Sequence, residues 1–188
     1  MRSRSGSGKA SCRQPLAFPD AVRPDPIKLR PVTVLERAAI KKLMLDPGQE
    51  QFAGSVDAVF AGLEASRYPD QEHAFAIIIS KKTVGFFILR EKQALPEWAP
   101  RGAVTLHSFR ISSACQGKGF SRAGVVLAIS WVRRNRPEVK ELMLAVNARN
   151  LPAKSLYLKA GFVDTGSIFR GAIGDQHILT FHRLQSDG

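Results

Sequence analysis

Six residues, Gln116-Gly117-Lys118-Gly119-Phe120-Ser121, stand between an apolar strand pattern, Val104-Thr105-Leu106-His107-Ser108-Phe109-Arg110-Ile111, and a helical pattern from Arg122 to Asn135. Two glycines let a backbone pass close to a ligand and turn its N–H groups toward it. The helix that follows aims the positive end of its dipole at the same point. Together they form a cradle for a pyrophosphate, although a glycine loop by itself is also a plain tight turn. A second block follows, Asn147-Ala148-Arg149-Asn150-Leu151-Pro152-Ala153-Lys154-Ser155-Leu156-Tyr157-Leu158-Lys159-Ala160-Gly161-Phe162. Its Tyr157 is a proton donor or a core tyrosine with its hydroxyl at the surface. Asn150 suits a helix cap and a ligand contact equally, and Asn147 reads as a cap of the segment after it. For a general base, His107 has suitable chemistry and shares strand parity with Phe109 and Ile111; an edge or core histidine is the alternative. Glu72, at the entry to a strand, is a second candidate, and a water relay a third. Arg133-Arg134-x-Arg136 reads as a solvated helix end that complements the dipole.

The elements that must position these groups are legible. Ile27–Val32 alternates as a strand, and Thr33 with Glu36 has capping-box spacing for a helix running to about Leu45 and stopped by Asp46-Pro47-Gly48. A second amphipathic helix is expected from about Glu50 to Ala65. Strands follow at Phe75–Ile79 and Val84–Leu89 around a Lys81-Lys82 turn, and a loop spans Ala94 to Gly102. Beyond strand Val104–Ile111 and its helix, the pattern predicts a strand at Glu141–Val146, a helix at Leu151–Ala160 and closing strands at Phe162–Ile168 and His177–Leu184. The order β-α-α-β-β-β-α-β-α-β-β mixes hairpins with βαβ units, so an α/β chain with a mixed sheet and helices on both faces is expected.

The chain has 188 residues, 44% of them hydrophobic, room for one domain with a full core. Residues 1–25 are rich in Ser, Gly, Arg and Pro and read as a disordered basic tail, leaving 26–186 as the domain. That stretch weakly resembles an organelle transit segment; a flexible tail or an early start codon is the preferred reading. No apolar run approaches the ~18 residues of a membrane helix, and no apolar stretch follows the first arginines as in a secretory signal. The only cysteines, Cys12 and Cys115, are poorly placed for a disulfide, which fits a reducing, cytoplasmic setting. Neither they nor His73, His107, His177 and His182 have zinc-ligand spacing, so no metal is expected. The net charge of +12 invites polyanionic partners or is a plain solvated basic face. It is unevenly spread: six acids and one base from Asp46 to Glu72, nine bases and two acids from Gln116 to Lys159. The chain lacks basic-aromatic interleaving and any reading motif for nucleic acid, and no nucleic-acid partner is expected.

The loop pattern Gln116-x-x-Gly119-x-Ser121 resembles the (Arg/Gln)-x-x-Gly-x-(Gly/Ala) loop of the GNAT superfamily of N-acetyltransferases. Asn150-x-x-Ala153-x-x-Leu156-Tyr157-x-Lys159-x-Gly161-Phe162 resembles its second signature. Ser121 departs from the usual Gly or Ala but still permits close approach. The run Phe109-Arg110-Ile111 to Gly119, with Pro47-Gly48-Gln49-Glu50-Gln51-Phe52, is similar to the spermine/spermidine acetyltransferase branch. The resemblance spans about Ile27 to Leu184 and implies a GNAT-like acyl-CoA N-acyltransferase fold with acetyl-CoA as co-substrate. It implies that Phe109, Arg110 and Ile111 splay from the next strand and offer backbone groups to a pantetheine arm. The amides of Gly117, Lys118, Gly119, Phe120, Ser121 and Arg122, after Gln116, would hold the pyrophosphate, with charge from Lys118 and Arg122. Asn150 would bond the cofactor, and Tyr157 would act as general acid for the departing thiolate.

The implied activity is acetyl transfer to a primary amine of a small acceptor by direct attack in a ternary complex. The acidic stretch 46–72 points to a cationic acceptor if it forms part of the acceptor wall. A protein N-terminus or lysine is the alternative acceptor, and a non-catalytic acyl-CoA-binding module the alternative class. Trp98 lines the acceptor mouth or staples a loop to the core. A homodimer is left open.

Overall fold

The computed structural model describes residues 25–45 and 47–182. The tail expected at 1–25 therefore lies outside them, Asp25 excepted, as do Asp46 and residues 183–188. Short β-rich runs and amphipathic helices alternate as β1 (Lys28–Pro31), α1 (Val34–Ile40), α2 (Pro47–Ala53), α3 (Val56–Glu64), β2 (Glu72–Ile79), β3 (Lys82–Glu91), β4 (Val104–Ile111), α4 (Phe120–Asn135), β5 (Leu142–Asn147), α5 (Leu151–Lys159), β6 (Val163–Gly171) and β7 (Gly174–Phe181). The strands form one sheet in the order β1-β2-β3-β4-β5-β7-β6. Every pair is antiparallel except β4 with β5.

The mixed sheet is as the pattern predicts, but three helices, not two, link β1 to β2. The capping box holds: the Glu36 carboxylate accepts from the Thr33 N–H (3.3 Å), the Thr33 hydroxyl and Arg30 (2.8 Å). α1 nevertheless ends at Ile40. Pro47, expected to stop a helix, begins α2, because a proline's missing N–H costs nothing in a first turn. The helix expected from Glu50 to Ala65 is broken by Gly54, and Ser55 starts α3 by accepting from the Ala58 N–H (3.1 Å). The β2–β3 turn falls on Ser80 and Lys81, one residue before the expected place, both with positive φ as a two-residue hairpin turn of primed type requires.

β3 is buried on both faces. Phe86, Phe87, Ile88 and Leu89 are all within 1% of complete burial, and each large side chain so buried contributes about 1.5–3 kcal/mol. Phe87 and Leu89 face α4 and α5 together with Phe75, Leu106 and Val125. Phe86 and Ile88 face α1 and α3 through Ile40 and Phe60. Toward β5 and β7 no helix among the described residues covers this second face; Trp98 packs there beside Ala103, Met143 and Ile178.

The C-terminal end of α4 is clamped to β3. Arg136 donates to both oxygens of buried Glu91 (2.6 Å each), and His73 lies 2.8 Å from the same carboxylate. The guanidinium also sits 5.3 Å from the Trp131 ring centroid. Burial works to raise the Glu91 pKa, and the bonds from Arg136 and His73 overcome it, holding it down at about 2. The arginine run expected to be a solvated helix end therefore finishes in a half-buried ion pair.

Arg136→Ala leaves the Glu91 charge buried without its main partner, and a loss of about 3–5 kcal/mol is expected in urea denaturation at pH 7. Because the folded-state pKa of Glu91 is depressed, its contribution is complete above the ordinary carboxylate range. It fades as pH falls toward about 2. Wild type and variant should therefore converge in stability at acid pH; a gap that persists there would contradict the ion-pair account.

Candidate active site

The site begins with a fault in strand pairing. β4 and β5 pair only at Val104–Leu142 and Thr105–Met143. Across β4's other edge, Phe86 pairs with Arg110 but Ile88 with His107, so β4 carries an extra residue there. The extra residue is Ser108, a non-glycine at φ +52°. A bulge bends and twists a strand, and beyond it β4 diverges from β5. The β5-facing backbone of β4 past Thr105 then has no strand partner among the described residues.

Between the parted strands lies a cleft of about 390 Å³. Its walls take residues from both faces of the sheet: Leu106, Phe109, Leu144 and Val146 on the α5 side, His107 and Ala145 on the other. The cleft thus passes through the sheet.

Gln116, Gly117 and Ser121 line one end. Gly117 and Gly119 have φ of +71° and +81°, and a Cβ built on either would meet nothing within 4 Å, so the loop faces open space. The N–H groups of Gly117, Lys118 and Gly119 donate to no carbonyl among the described residues. Those of Phe120, Ser121 and Arg122 belong to the first turn of α4, where a helix leaves its donors unsatisfied. An anion is the natural partner for such a group of donors.

Tyr157 lines the middle of the cleft and is 8% exposed. Its ring is held edge-on by Phe109 (6.2 Å) and Phe162 (5.8 Å). Its hydroxyl bonds none of the described residues, and burial raises its pKa, so the phenol keeps its proton throughout the physiological range. Asn150 caps α5, accepting from the Ala153 N–H (3.2 Å), and also lines the cleft.

An amide cradle at a helix N-terminus, opening into a through-sheet cleft with a buried phenol, is what a pantetheine thioester needs. The acetyltransferase (GNAT) family model matches residues 38–162. The chain belongs to the GNAT acetyltransferase family. It is 36% identical to the uncharacterized N-acetyltransferase YbbJ of Bacillus subtilis (strain 168) over 115 residues, covering 60% of this chain and 69% of that protein. Among solved structures, an aminoglycoside acetyltransferase AAC(6')-Ib in complex with coenzyme A superposes with a TM-score of 0.70 at 17% identity, covering 84% of this chain and 95% of the other. Spermidine N-acetyltransferase from Vibrio cholerae, in complex with CoA and spermine, superposes at 0.65 and 18% identity over 84% and 95%. At these identities the structures speak for the shared fold. The protein is thus an acetyl-CoA-dependent N-acetyltransferase, and the unpartnered amides of the loop fit the co-substrate's diphosphate.

Within the GNAT frame, several expected residues also make contacts of their own. Arg110, which lines the cleft, donates from its guanidinium group to the carbonyls of Ala53 (2.7 Å), Gly54 (3.3 Å) and Ser108 (3.2 Å), tying the end of α2 to the bulge. Ile111 spends its carbonyl on Gln116 Nε2 (3.2 Å). Gln116 also exchanges hydrogen bonds with Gln49 (2.8 and 3.2 Å), a pairing that sequence spacing could not disclose. Lys118 Nζ donates to the Ala114 carbonyl (3.0 Å), and Phe120 packs its ring on the core. Asn147 is buried and caps the turn that follows it, accepting from the Arg149 N–H (3.0 Å); it also donates to the Ile173 carbonyl (3.1 Å).

The two base candidates also move. His107 does not share a face with Phe109 and Ile111, because the extra residue at 108 reverses the alternation. It stands with Thr105, whose Oγ1 is 2.7 Å from its Nε2, and with Trp98, 6.4 Å between ring centroids. Burial, aided by the Arg90 charge, lowers its pKa to about 3. A group protonated only below that point takes a proton poorly from an ammonium of pKa ~10. Glu72 is further removed: its carboxylate pairs with Arg90 (2.6 Å), and it lines a second cavity with His73, Phe75 and Trp131. Glu50, Asp57, Glu64 and Asp70 do not form the cleft wall either; among the described residues no carboxylate lines it. Among the described residues no cluster of metal-binding side chains occurs, and no helix is long and apolar enough to cross a membrane.

Gly85 backs the bulge from β3, and sequence reasoning passed it over as an ordinary strand residue. A Cβ there would lie 2.6 Å from the Arg110 carbonyl oxygen and 2.4 Å from Ile111 Cδ1. Gly85→Ala must push β4 toward the cleft. A stability loss of about 1–3 kcal/mol is expected from the overpacking, together with weaker coenzyme A binding. Thermal melting and calorimetry on the same sample check both; an alanine variant that binds coenzyme A normally would refute the close-packing argument.

Proposed function

We propose that this acetyltransferase acts on the primary amine of a small acceptor, with both substrates held in one cleft. The observation that carries the reading is the divergence of β4 from β5 past a bulge, which opens one passage from the amide cradle to the opposite face of the sheet. Acetyl-CoA supplies a thioester whose C–S bond gives way as the acceptor nitrogen forms its C–N bond. The amides of Gly117 to Arg122 hold the diphosphate, and the helix dipole adds to their field. Free backbone groups at Phe109, with Asn150, align the pantetheine arm. A backbone N–H beside the bulge meets the charge that develops on the carbonyl oxygen. Tyr157 gives its proton to the departing thiolate, and water takes the proton that the amine loses. Holding the two reactants in line supplies most of the rate. Trp98 narrows the far mouth, which favours a small amine over a protein chain.

Tyr157→Phe keeps the ring packing and removes the donor. Turnover should fall about 10²-fold or more, while calorimetric affinity for coenzyme A changes less than about threefold. Undiminished turnover would remove the acid role.

The pH dependence should follow the substrate. His107 titrates near pH 3 and Tyr157 above the physiological range, so neither changes state between about pH 5 and 9. The expected profile of kcat/KM is a unit-slope rise that levels off only near the acceptor's own pKa. An inflection at ~6.5, the ordinary histidine value, would return His107 to the role of base.

A further inference from the structure

The cleft's far end is the part of the molecule that chooses the acceptor. It is built from Phe52 of α2, Trp98, His107 of β4, Ala145 of β5 and Gln176 of β7. None of these side chains carries a carboxylate. Among the described carboxylates of nearby elements, Asp57 pairs with Lys41, Glu64 with Arg37, Glu72 with Arg90, Glu91 with Arg136 and Asp175 with Arg170, while Glu97, beside Trp98, is exposed and does not line the cleft. Glu50, exposed on α2, acts on Arg110 and does not line the cleft. Three guanidinium groups stand close to this end. Arg110 is bound to the α2 carbonyls. Arg90 acts on His107 from behind. Arg149 sits 6.0 Å from the Phe52 ring centroid, occupying a ring face on which a cationic acceptor would otherwise rest.

A polyamine or an aminoglycoside brings several ammonium groups. One can lose its proton and react; the rest would be desolvated beside guanidinium groups in a lining with no carboxylate among the described residues, and an unpaired buried charge is strongly disfavoured. An amine carried on an aromatic body loses nothing there, since its ring replaces water against Trp98 and Phe52.

We infer that the acceptor is a monoamine on an uncharged, aromatic body, and that Trp98 and Phe52 select it. The inference rests on the cleft reading above. It adds no reactant: the amine nitrogen bonds the acetyl carbon, the C–S bond breaks, and the proton shed by the amine is balanced by the one gained by the thiol.

The experiment measures thiol release from acetyl-CoA with tryptamine, phenethylamine, spermidine and kanamycin as acceptors. Coenzyme A binding is measured by calorimetry on the same protein. The two aromatic amines should show kcat/KM at least about tenfold above the two polycations. Trp98→Ala and, independently, Phe52→Leu should erase most of that preference through KM while retaining coenzyme A affinity. Spermidine or kanamycin matching the aromatic amines would overturn the inference. So would inert aromatic amines with a protein that binds coenzyme A, and that result leaves the cleft reading standing. Absence of coenzyme A binding would instead remove the cleft reading, and this inference with it.

Discussion

One extra residue in β4 governs the rest of the molecule. Ser108 takes a left-handed backbone that serine adopts at some cost. In return, the alternation of side chains reverses along the strand and the ladder to β5 ends after two residue pairs. A regular parallel pair would satisfy its own backbone groups and leave nothing for a ligand. The interrupted pair leaves donors and acceptors facing a cleft, and the flanking sheet keeps them in place. The bulge is over-determined by its neighbours: Gly85 lets β3 approach from one side, and Arg110 fastens the bulge to α2 from the other face.

The two faces of the sheet divide the labour. On the α5 side, an aromatic series from Phe87 through Phe109, Tyr157 and Phe162 to Phe181 holds the phenol at the middle of the cleft. In the proposed mechanism its rigidity matters more than its hydrophobicity, since a proton donor must be in position before the thiolate appears. On the other side Trp98 and Phe52 line the cleft, and the nearest cations are engaged: Arg110 with carbonyls, Arg149 with a ring and Arg90 with Glu72. The acidic stretch between residues 46 and 72 spends three of its six carboxylates on ion pairs with Arg37, Lys41 and Arg90. Local charge balance along a chain is therefore a poor guide to the charge of a pocket: partners distant in sequence neutralise it.

Most of the fold was legible from the chain. The apolar runs, the Gly117–Gly119 loop, the Thr33–Glu36 box and the Asn150 cap are local signals, and each element near them appears close to its expected place. The errors are local too. Helix α1 stops early, and the run from Glu50 to Ala65 breaks at Gly54, because propensity over a window says little about where a left-handed residue will interrupt it.

What the sequence determined by itself was the family's chemistry: a glycine loop ahead of a helix, and the Asn150–Phe162 block with its tyrosine. Those are short-range patterns whose geometry follows from neighbouring residues. What only the tertiary structure decided was which groups reach the cleft. The bulge moved His107 to the other face, Arg90 claimed Glu72, the guanidinium of cleft-lining Arg110 met the end of α2, and Gln49 met Gln116 across 67 positions. No spacing rule reports such outcomes, because a side chain's role depends on what else competes for its charge and hydrogen bonds once the chain has closed around it.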